Sequence, residues 1–485
     1  MIATKQLTAV VGKDNIDNAP QSLAAHAGDL SFVNPLRPAC IVRPTDAGQV
    51  QQLIRLANET HTPLVPVSSG PPHFRGDTVP GAGGAVIVDL SGMKKILLVD
   101  RARRVAMCEP GVTFGELIPR VREAGLRLNM PLLPRAGKSV IGSILEREPV
   151  TLPAYQWDIS DPLACTGLCF GNGDEFRTGQ AAGPGSIEEQ WAVGGVQKAP
   201  YGPGTASLHR LIQGAQGTMG IVTWISMRCE ILPSLEAPFV VGSDDLEQLL
   251  EMAYWLIRQR MVTECFILNS TNLAAMFGNG INGHGRADLP AWTLFYTVAG
   301  YEYFPEQRVA AHIEDITRIT QRLCLEPAHT AGGIAANAIL KAVQLPAADP
   351  YWKLQPRGGC HDIFYLTVRE KLADQIAAMT GLAGESGHSI PDLGIYIQPS
   401  VQGTNWHCEF NLFFDHNDRR TRDRVRTLSN AATRRLMEKG AFFSRPYGEN
   451  AGTIVNRDAA TVNVLHTFKR IFDPNNVMNP GKVCF

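Results

Sequence analysis

Between Pro66 and Leu90 the chain reads PVSSGPPHFRGDTVPGAGGAVIVDL, which sets serine, glycine and proline just ahead of the apolar run Ala85–Leu90 and just after another, Pro63–Val67. Serine and glycine let a ligand come close to the backbone, proline stiffens the turn, and a concave row of amides favours an anion such as a pyrophosphate. An ordinary tight turn accounts for this window equally well. Two more glycine-and-serine stretches precede apolar segments, RAGKSVIGSILER (Arg135–Arg147) and HRLIQGAQGTMGIV (His209–Val222). Three such loops in one region suggest a cofactor lying across several backbone segments. No GxGxxG opens a helix directly after a strand, so the plan is not the Rossmann one. The ten cysteines, at 40, 108, 165, 169, 229, 265, 324, 360, 408 and 484, form no CxxC pair. They read as reduced, mostly buried thiols rather than a disulfide framework, a zinc site or an iron-sulfur site.

The elements that hold these loops follow from hydrophobic periodicity. Val50, Leu53, Ile54 and Leu56 place an amphipathic helix over Asp46–Asn58, capped by Thr45 or Asp46. Ile96–Asp100 and Arg104–Cys108 flank a charged turn as a hairpin would. Thr113 caps a helix from Phe114 to Ala124, with Glu116 as half of a capping box and Gly125 ending it. Leu168–Thr178 reads as two short strands bent at Asn172-Gly173, and Ile221–Met227 as a further strand. From about Glu236 to Arg445 longer helices, Asp244–Gln259 and Glu306–Leu323, alternate with strands such as Phe239–Gly242 and Cys408–Phe414. That texture predicts an α+β domain in which helices cover one face of an antiparallel sheet. Val462–Phe485 reads as a helix followed by the turn-rich tail FDPNNVMNPGK, expected to dock back on the first domain.

At 485 residues the chain is long enough for two or three domains. Its 45 basic and 46 acidic residues balance to −1, which argues against a nucleic-acid partner. The N-terminal MIATKQLTAVVGKDNI lacks a signal-peptide pattern, and no run approaches the roughly 18 apolar residues of a membrane span. A cytoplasmic protein without a membrane partner is the expectation.

The loop PVSSG, the strand ending Val88-Asp89-Leu90, then EPGVTFGEL, SVIGSILER, NGDEFRTG, GTMGIVT and FDPNNVMNPGK occur in an order and spacing that resemble the vanillyl-alcohol oxidase and p-cresol methylhydroxylase (PCMH) family of FAD-dependent oxidoreductases. The resemblance implies an α+β fold. A two-part PCMH-type FAD-binding domain would span 1–233, an α+β substrate (cap) domain with an antiparallel sheet 234–460, and a segment returning to the FAD domain 461–485. It further implies FAD as the cofactor, a small-molecule substrate, an electron-acceptor protein as a possible partner, and a homodimer. Ser68, Ser69, Gly70, Pro71 and His73 would form the phosphate loop, with Pro110, Ser139, Gly142, Ser143, Gly220 and Val222 lining adenine and ribose. Pro71-Pro72 departs from the family's usual run of glycines.

Phenol-oxidising members look like they bind phenolate with two tyrosines and an arginine, beside an aspartate near the flavin's reactive edge. Asp158 falls near the position of that aspartate, and as a residue following Trp157 it equally suits a turn cap. Arg75 stands where those enzymes carry one tyrosine, and Ser444-Arg445 where they carry a tyrosine-arginine pair. Two arginines suit a carboxylate better than a simple phenol; the alternative has Arg75 pairing with Asp77 or Glu449 away from substrate. Tyr447 is near enough to supply a hydroxyl. His407 lies close to the position of the family's covalent flavin link, and it reads as that link, as an unlinked histidine near the ring, or as a core histidine. Arg357 and Lys353 occupy a stretch like the family's Tyr-Trp-Arg segment and are candidates for stabilising reduced-flavin charge. A related branch, the D-lactate and glycolate dehydrogenases, carries a metal site of paired histidines and glutamate. That spacing is missing around His407 and Glu409, so no metal is expected. The expected activity is removal of hydride from a benzylic or hydroxy-bearing carbon of an aromatic, 4-substituted phenol-like or carboxylate-bearing substrate. The alternatives are a 2-hydroxy-acid dehydrogenase passing electrons to a carrier, and a non-catalytic flavin-binding subunit.

Overall fold

A computed structural model describes residues 2–152, 162–202, 208–278 and 288–485. Asp158 lies outside these residues. The chain builds three main sheets in sequence. The first joins β1 (Ile16–Asp17), β2 (Cys40–Val42), β3 (Leu64–Val67) and β4 (Val86–Asp89) in the order β1-β2-β4-β3, with β4 parallel to both β2 and β3. Alternation sorts its side chains. Val42, Leu64, Val86 and Val88 pack with Val50, Leu53, Ile54 and Ala57 of helix α1 (Ala47–Thr60), while Ile41, Val65 and Ile87 form a second cluster on the opposite face. Asp46 is the cap of α1, its carboxylate accepting from the Gln49 amide at 2.9 Å.

The second sheet is antiparallel, in the order β5 (Ile96–Asp100), β6 (Val105–Cys108), β10 (Gly220–Ile231), β8 (Leu163–Phe170), β9 (Glu175–Arg177), with β7 (Leu126–Leu128) also on β10. The expected hairpins are present at β5–β6 and β8–β9, and the Phe170 amide donates to Asp174 O across the Asn172-Gly173 bend. Helix α2 (Phe114–Glu123) begins with the expected capping box. A short helix, α3 (Val140–Leu145), starts at Ser139, whose Oγ accepts from the Gly142 amide and donates to Pro110 O at 2.6 Å.

The third sheet has six antiparallel strands: β11 (Leu235–Ser243), β12 (Cys265–Asn269), β13 (Trp292–Gly300), β14 (Gly358–Thr367), β15 (Leu393–Ser400) and β16 (Asn405–Asp415), ordered β11-β13-β12-β15-β16-β14. Long helices at Leu246–Arg258, Pro305–Leu323, Leu372–Glu385 and Arg419–Glu438 cover one face, over Ile267, Ile397, Trp406, Cys408, Phe410 and Leu412. The expectation of a one-sided cover needs extending. The shorter helices Ser270–Phe277 and Ala336–Gln344 pack on part of the other face against Phe266, Phe295, Tyr396 and Phe413. What remains of that face carries His407, Glu409 and Asn411, the alternate side chains of β16.

Buried polar contacts join the sheets. Arg127 on β7 pairs with Glu236 at 3.3 Å and with Glu264, both on the third-sheet side, and Gln216 donates to Pro446 O at 2.6 Å. After the helix Ala459–Phe472 the tail returns to the first sheet, where the Leu64 amide donates to Val477 O and the Asn479 amide to Leu64 O. The ten cysteines are free thiols; eight are buried, Cys484 is partly buried and Cys324 is exposed. Among the described residues no helix is long and apolar enough to cross a membrane, and no group of three His, Cys, Asp or Glu side chains could hold a metal ion.

Candidate active site

A cleft enclosing about 1780 Å³ of empty space, part of it open to solvent, runs between the loops of the first two sheets and the polar face of the third. Much of it is built from the three loops singled out in the sequence, which supply both an uncharged stretch and the charged residues Arg75, Asp77, Arg135, Lys138 and Glu146. The uncharged stretch is lined by Ser68, Ser69, Pro110, Gly142, Gly220 and Val222 among other residues. Close approach dictates the small residues here: a Cβ on Gly142 would sit 3.3 Å from Ser68 Oγ, and one on Gly220 only 2.3 Å from Cys169 O. Ser139 and Ser143 lie one layer behind. The Ser139 amide donates to Ser69 Oγ, and Ser143 Oγ donates to Glu148 at 2.7 Å, so both brace the lining without facing the cleft. Gly70 and Pro71 lie on the exposed outer side of their loop, whereas Pro72 and His73 face in. Burial, with Arg135 nearby, pushes the His73 pKa down to about 4, so its ring is neutral near pH 7.

The rest of the lining is charged, partly from the same loops. Arg75 donates to Glu146 and to Glu148 (2.9 Å), and Lys138 reaches the same two carboxylates at 2.9 and 2.8 Å. These four side chains form a closed ring of alternating charge. Burial disfavours the charge on Arg75, but Glu146 and Glu148 overcome that and hold its pKa above the ordinary value. The sequence alternative that paired Arg75 with Asp77 or Glu449 had the right kind of contact and the wrong carboxylates; Glu449 pairs instead with Arg426.

Arg445 differs. It is 6% exposed, its guanidinium lies 4.0 Å from the centroid of the Phe364 ring, and its Nη1 is buried without a hydrogen-bond partner among the described residues. Burial and the nearby Arg75 bring its pKa down to about 10, so it still carries its charge at neutral pH. Tyr447 lies beneath Arg75, 5.1 Å from guanidinium to ring centroid, and burial pushes its hydroxyl pKa up, leaving a neutral phenol.

A second polar cluster comes from β14, β16 and the Tyr351–Arg357 turn. Lys353 Nζ lies 2.7 Å from Asp362 and 2.6 Å from Glu409, and Asn411 donates to both of those carboxylates at 2.7 Å. Burial opposes the Lys353 charge, but the two carboxylates overcome it and hold its pKa well above the usual lysine value. Glu409, whose burial would raise its pKa, is instead held well below the carboxylate range by Lys353 and His407. Arg357 departs from expectation. It lies on the outside of the same turn, half-exposed and paired with Asp392 at 3.0 Å, while Lys353 four residues earlier lines the cleft. His407 is also displaced from the lining. Its ring packs 5.4 Å from that of Tyr396 and its Nε2 lies 3.3 Å from Glu409, so Tyr396 and Glu409 stand where the cleft wall is.

Asp77 received no catalytic role from sequence, yet it lines the cleft. Burial and the Glu146 charge raise its pKa to about 6, against the pull of Arg75. The only sequence signal was its position two residues after Arg75 in a loop already marked for binding.

The three-sheet fold and the cleft between its sheets define the class, and comparison with known proteins agrees. Residues 38–148 match the FAD binding domain family, and residues 239–483, half of the chain, match the family of FAD linked oxidases, C-terminal domain. The chain belongs to the FAD-linked oxidases and is an FAD-dependent oxidoreductase of the PCMH type. The 4-cresol dehydrogenase [hydroxylating] flavoprotein subunit of Pseudomonas putida is 23% identical, over 99% of this chain and 94% of its own length. The D-2-hydroxyglutarate dehydrogenase of Stutzerimonas stutzeri is 22% identical, over 99% and 98%. The solved structure of p-cresol methylhydroxylase with substrate bound superposes with a TM-score of 0.85 at 20% identity, covering 99% of this chain and 96% of that one.

The residues present fit FAD. Ser68 and Ser69 offer hydroxyls at the cleft wall, the glycine backbones at Gly142 and Gly220 put no side chain into it, and the lining carboxylates Glu146 and Glu148 are already paired with Arg75 and Lys138, so this stretch of wall can receive a pyrophosphate.

Proposed function

We propose that this enzyme oxidises a small carboxylate-bearing substrate at a hydroxy-bearing or benzylic carbon, with Arg445 as the anchor for the carboxylate. The observation that carries this reading is the buried, unpartnered Nη1 of Arg445 in the charged part of the cleft. A buried guanidinium without a bonded anion is costly unless a ligand completes it, and a carboxylate does so through charge-assisted hydrogen bonds. Arg75 is the weaker candidate for direct contact, because Glu146 and Glu148 already occupy its donors. Tyr447, held neutral, is suited to donate a hydrogen bond rather than to bind as a phenolate.

FAD bound in the cleft supplies the acceptor for the hydride. The chain must then take the proton that leaves the substrate hydroxyl. Asp77 is the carboxylate best suited to that task, because an acceptor works best with a pKa near the operating pH, and Glu409 is held too acidic. Lys353, fixed between Asp362 and Glu409, places a cation at the cleft wall within a cluster that the two carboxylates leave negative overall. His407, behind that wall, favours FAD held without a histidine link. The same reading includes a homodimer in the cytoplasm that passes electrons to oxygen or to an acceptor protein; a relative named as a flavoprotein subunit supports the protein acceptor.

The test is anaerobic bleaching of the flavin by aromatic and aliphatic 2-hydroxy acids compared with 4-substituted phenols lacking a carboxylate. The acids should bleach the wild type and bleach Arg445→Met only at concentrations about 30-fold or more higher. Bleaching by the phenols alone would overturn the reading.

A further inference from the structure

The cleft has two walls that are far apart in sequence, and a third segment holds them together. Asn479, 1% exposed, donates from its Nδ2 to Asp77 O at 2.8 Å and to Gln216 O at 2.7 Å. Asp77 and Gln216 line the cleft from different loops. Lys482 Nζ donates to Gly76 O at 2.7 Å. Upstream, Lys469 Nζ donates to Thr218 O and Met478 O at 2.6 and 3.0 Å, so a buried lysine fixes the Gln216–Met219 loop to the same tail. Asp473 accepts from the amides of Val477 and Met478 at 3.0 and 2.8 Å and sets the turn. Asn479 has φ +40, a left-handed conformation that asparagine tolerates better than most residues. Its Oδ1 is buried without a partner among the described residues, so the donating end of the amide accounts for its placement.

Loop carbonyls tied from behind leave the front of each loop free and fixed in position. Preorganisation of this kind raises affinity by removing the ordering cost that a mobile loop would incur on binding. We propose that Asn479 and Lys482 are positioning residues for the cofactor, clamping the 66–79 and 214–219 loops at the spacing FAD requires without touching FAD themselves. The inference rests on FAD lying along the uncharged stretch of the cleft.

The test is titration of apoprotein with FAD, followed by flavin fluorescence, beside thermal unfolding of the same apoproteins. Asn479→Ala and Lys482→Met should each lower apoprotein Tm by a few degrees and also weaken FAD binding about tenfold or more at temperatures where both apoproteins remain fully folded. Lys482→Arg, which retains a donor, should restore affinity to within about threefold of wild type, as the loss of a donor rather than of packing predicts. Unchanged affinity in both Asn479→Ala and Lys482→Met would overturn the clamp, and so would losses confined to temperatures at which the apoproteins begin to unfold. Gly142→Val separates the premise from the inference. Normal FAD binding by that variant would place the cofactor elsewhere and sink both, whereas loss of binding in Gly142→Val alone would sink only the clamp.

Discussion

Two arginines, Arg445 buried and Arg75 partly buried, share one aromatic ring here and have opposite electrostatic circumstances. Arg75 lies 5.1 Å from the Phe364 centroid and is neutralised by two glutamates, while Arg445 has no ion pair among the described residues. Their substitution should separate stability from binding. Arg75→Met leaves Glu146 and Glu148 facing Lys138 alone and should destabilise the fold by about 3–5 kcal/mol in denaturant titration. Arg445→Met should leave apoprotein stability equal or higher, yet raise KM for a carboxylate substrate about 30-fold or more. Asp77 supplies the pH dependence. Its raised pKa predicts that kcat/KM falls as pH drops through about 6, because protonation removes the acceptor, and that Asp77→Asn is slow with this limb absent from its pH–rate profile. The linkage has the matching sign. Between about pH 4 and 6 the folded chain holds a proton that the unfolded chain releases, so this group favours folding increasingly as pH falls through 6. That Arg445 and Tyr447 line the cleft was readable from the resemblance of Ser444-Arg445 to the family's tyrosine-arginine pair and from the closeness of Tyr447 to it in sequence. The ring around Arg75 was not, since it joins residues 71 and 73 positions apart that only packing brings together.

At the scale of elements, local chemistry was readable wherever an end signal existed. Asp46, Thr113 and Asn172-Gly173 each mark a boundary that the fold respects. Strands buried on both faces lack alternation and are harder to see. β15 is the clearest case: all eight residues are buried, and its Gly394 is required because an added Cβ would fall 1.9 Å from Asn272 Oδ1. β10 extends beyond its expected Ile221–Met227 because β6, β7 and β8 all pair with it, a tertiary gain that local pattern does not contain. Its first residue is also cleft wall. Gly220→Val would push a side chain into the β8 backbone at Cys169, and the purified variant should retain little FAD per chain by absorbance ratio.

For the whole molecule, the sheets are coupled both by shared apolar clusters, in which Cys169 and Ile221 pack with the first sheet and Leu132 and Leu133 with the third, and by a few buried polar contacts. Arg127 is the clearest test, being 6% exposed and paired with Glu236 and Glu264. Arg127→Leu strands two carboxylates at the junction and should cost about 3–5 kcal/mol in guanidinium unfolding. The α+β class and the PCMH-type plan were legible because ordered loop motifs run the length of the chain; the position of the joints was not, because ion pairs between distant segments leave no local pattern. The returning tail has a consequence in time as well as in space. Lys482 and Gly76 meet across 406 residues, and at a synthesis rate of about 5–20 residues per second roughly 20–80 seconds pass between the first loop's emergence and its fastening. Until the tail emerges, the nascent chain holds the 66–79 loop without the lysine that fastens it from behind.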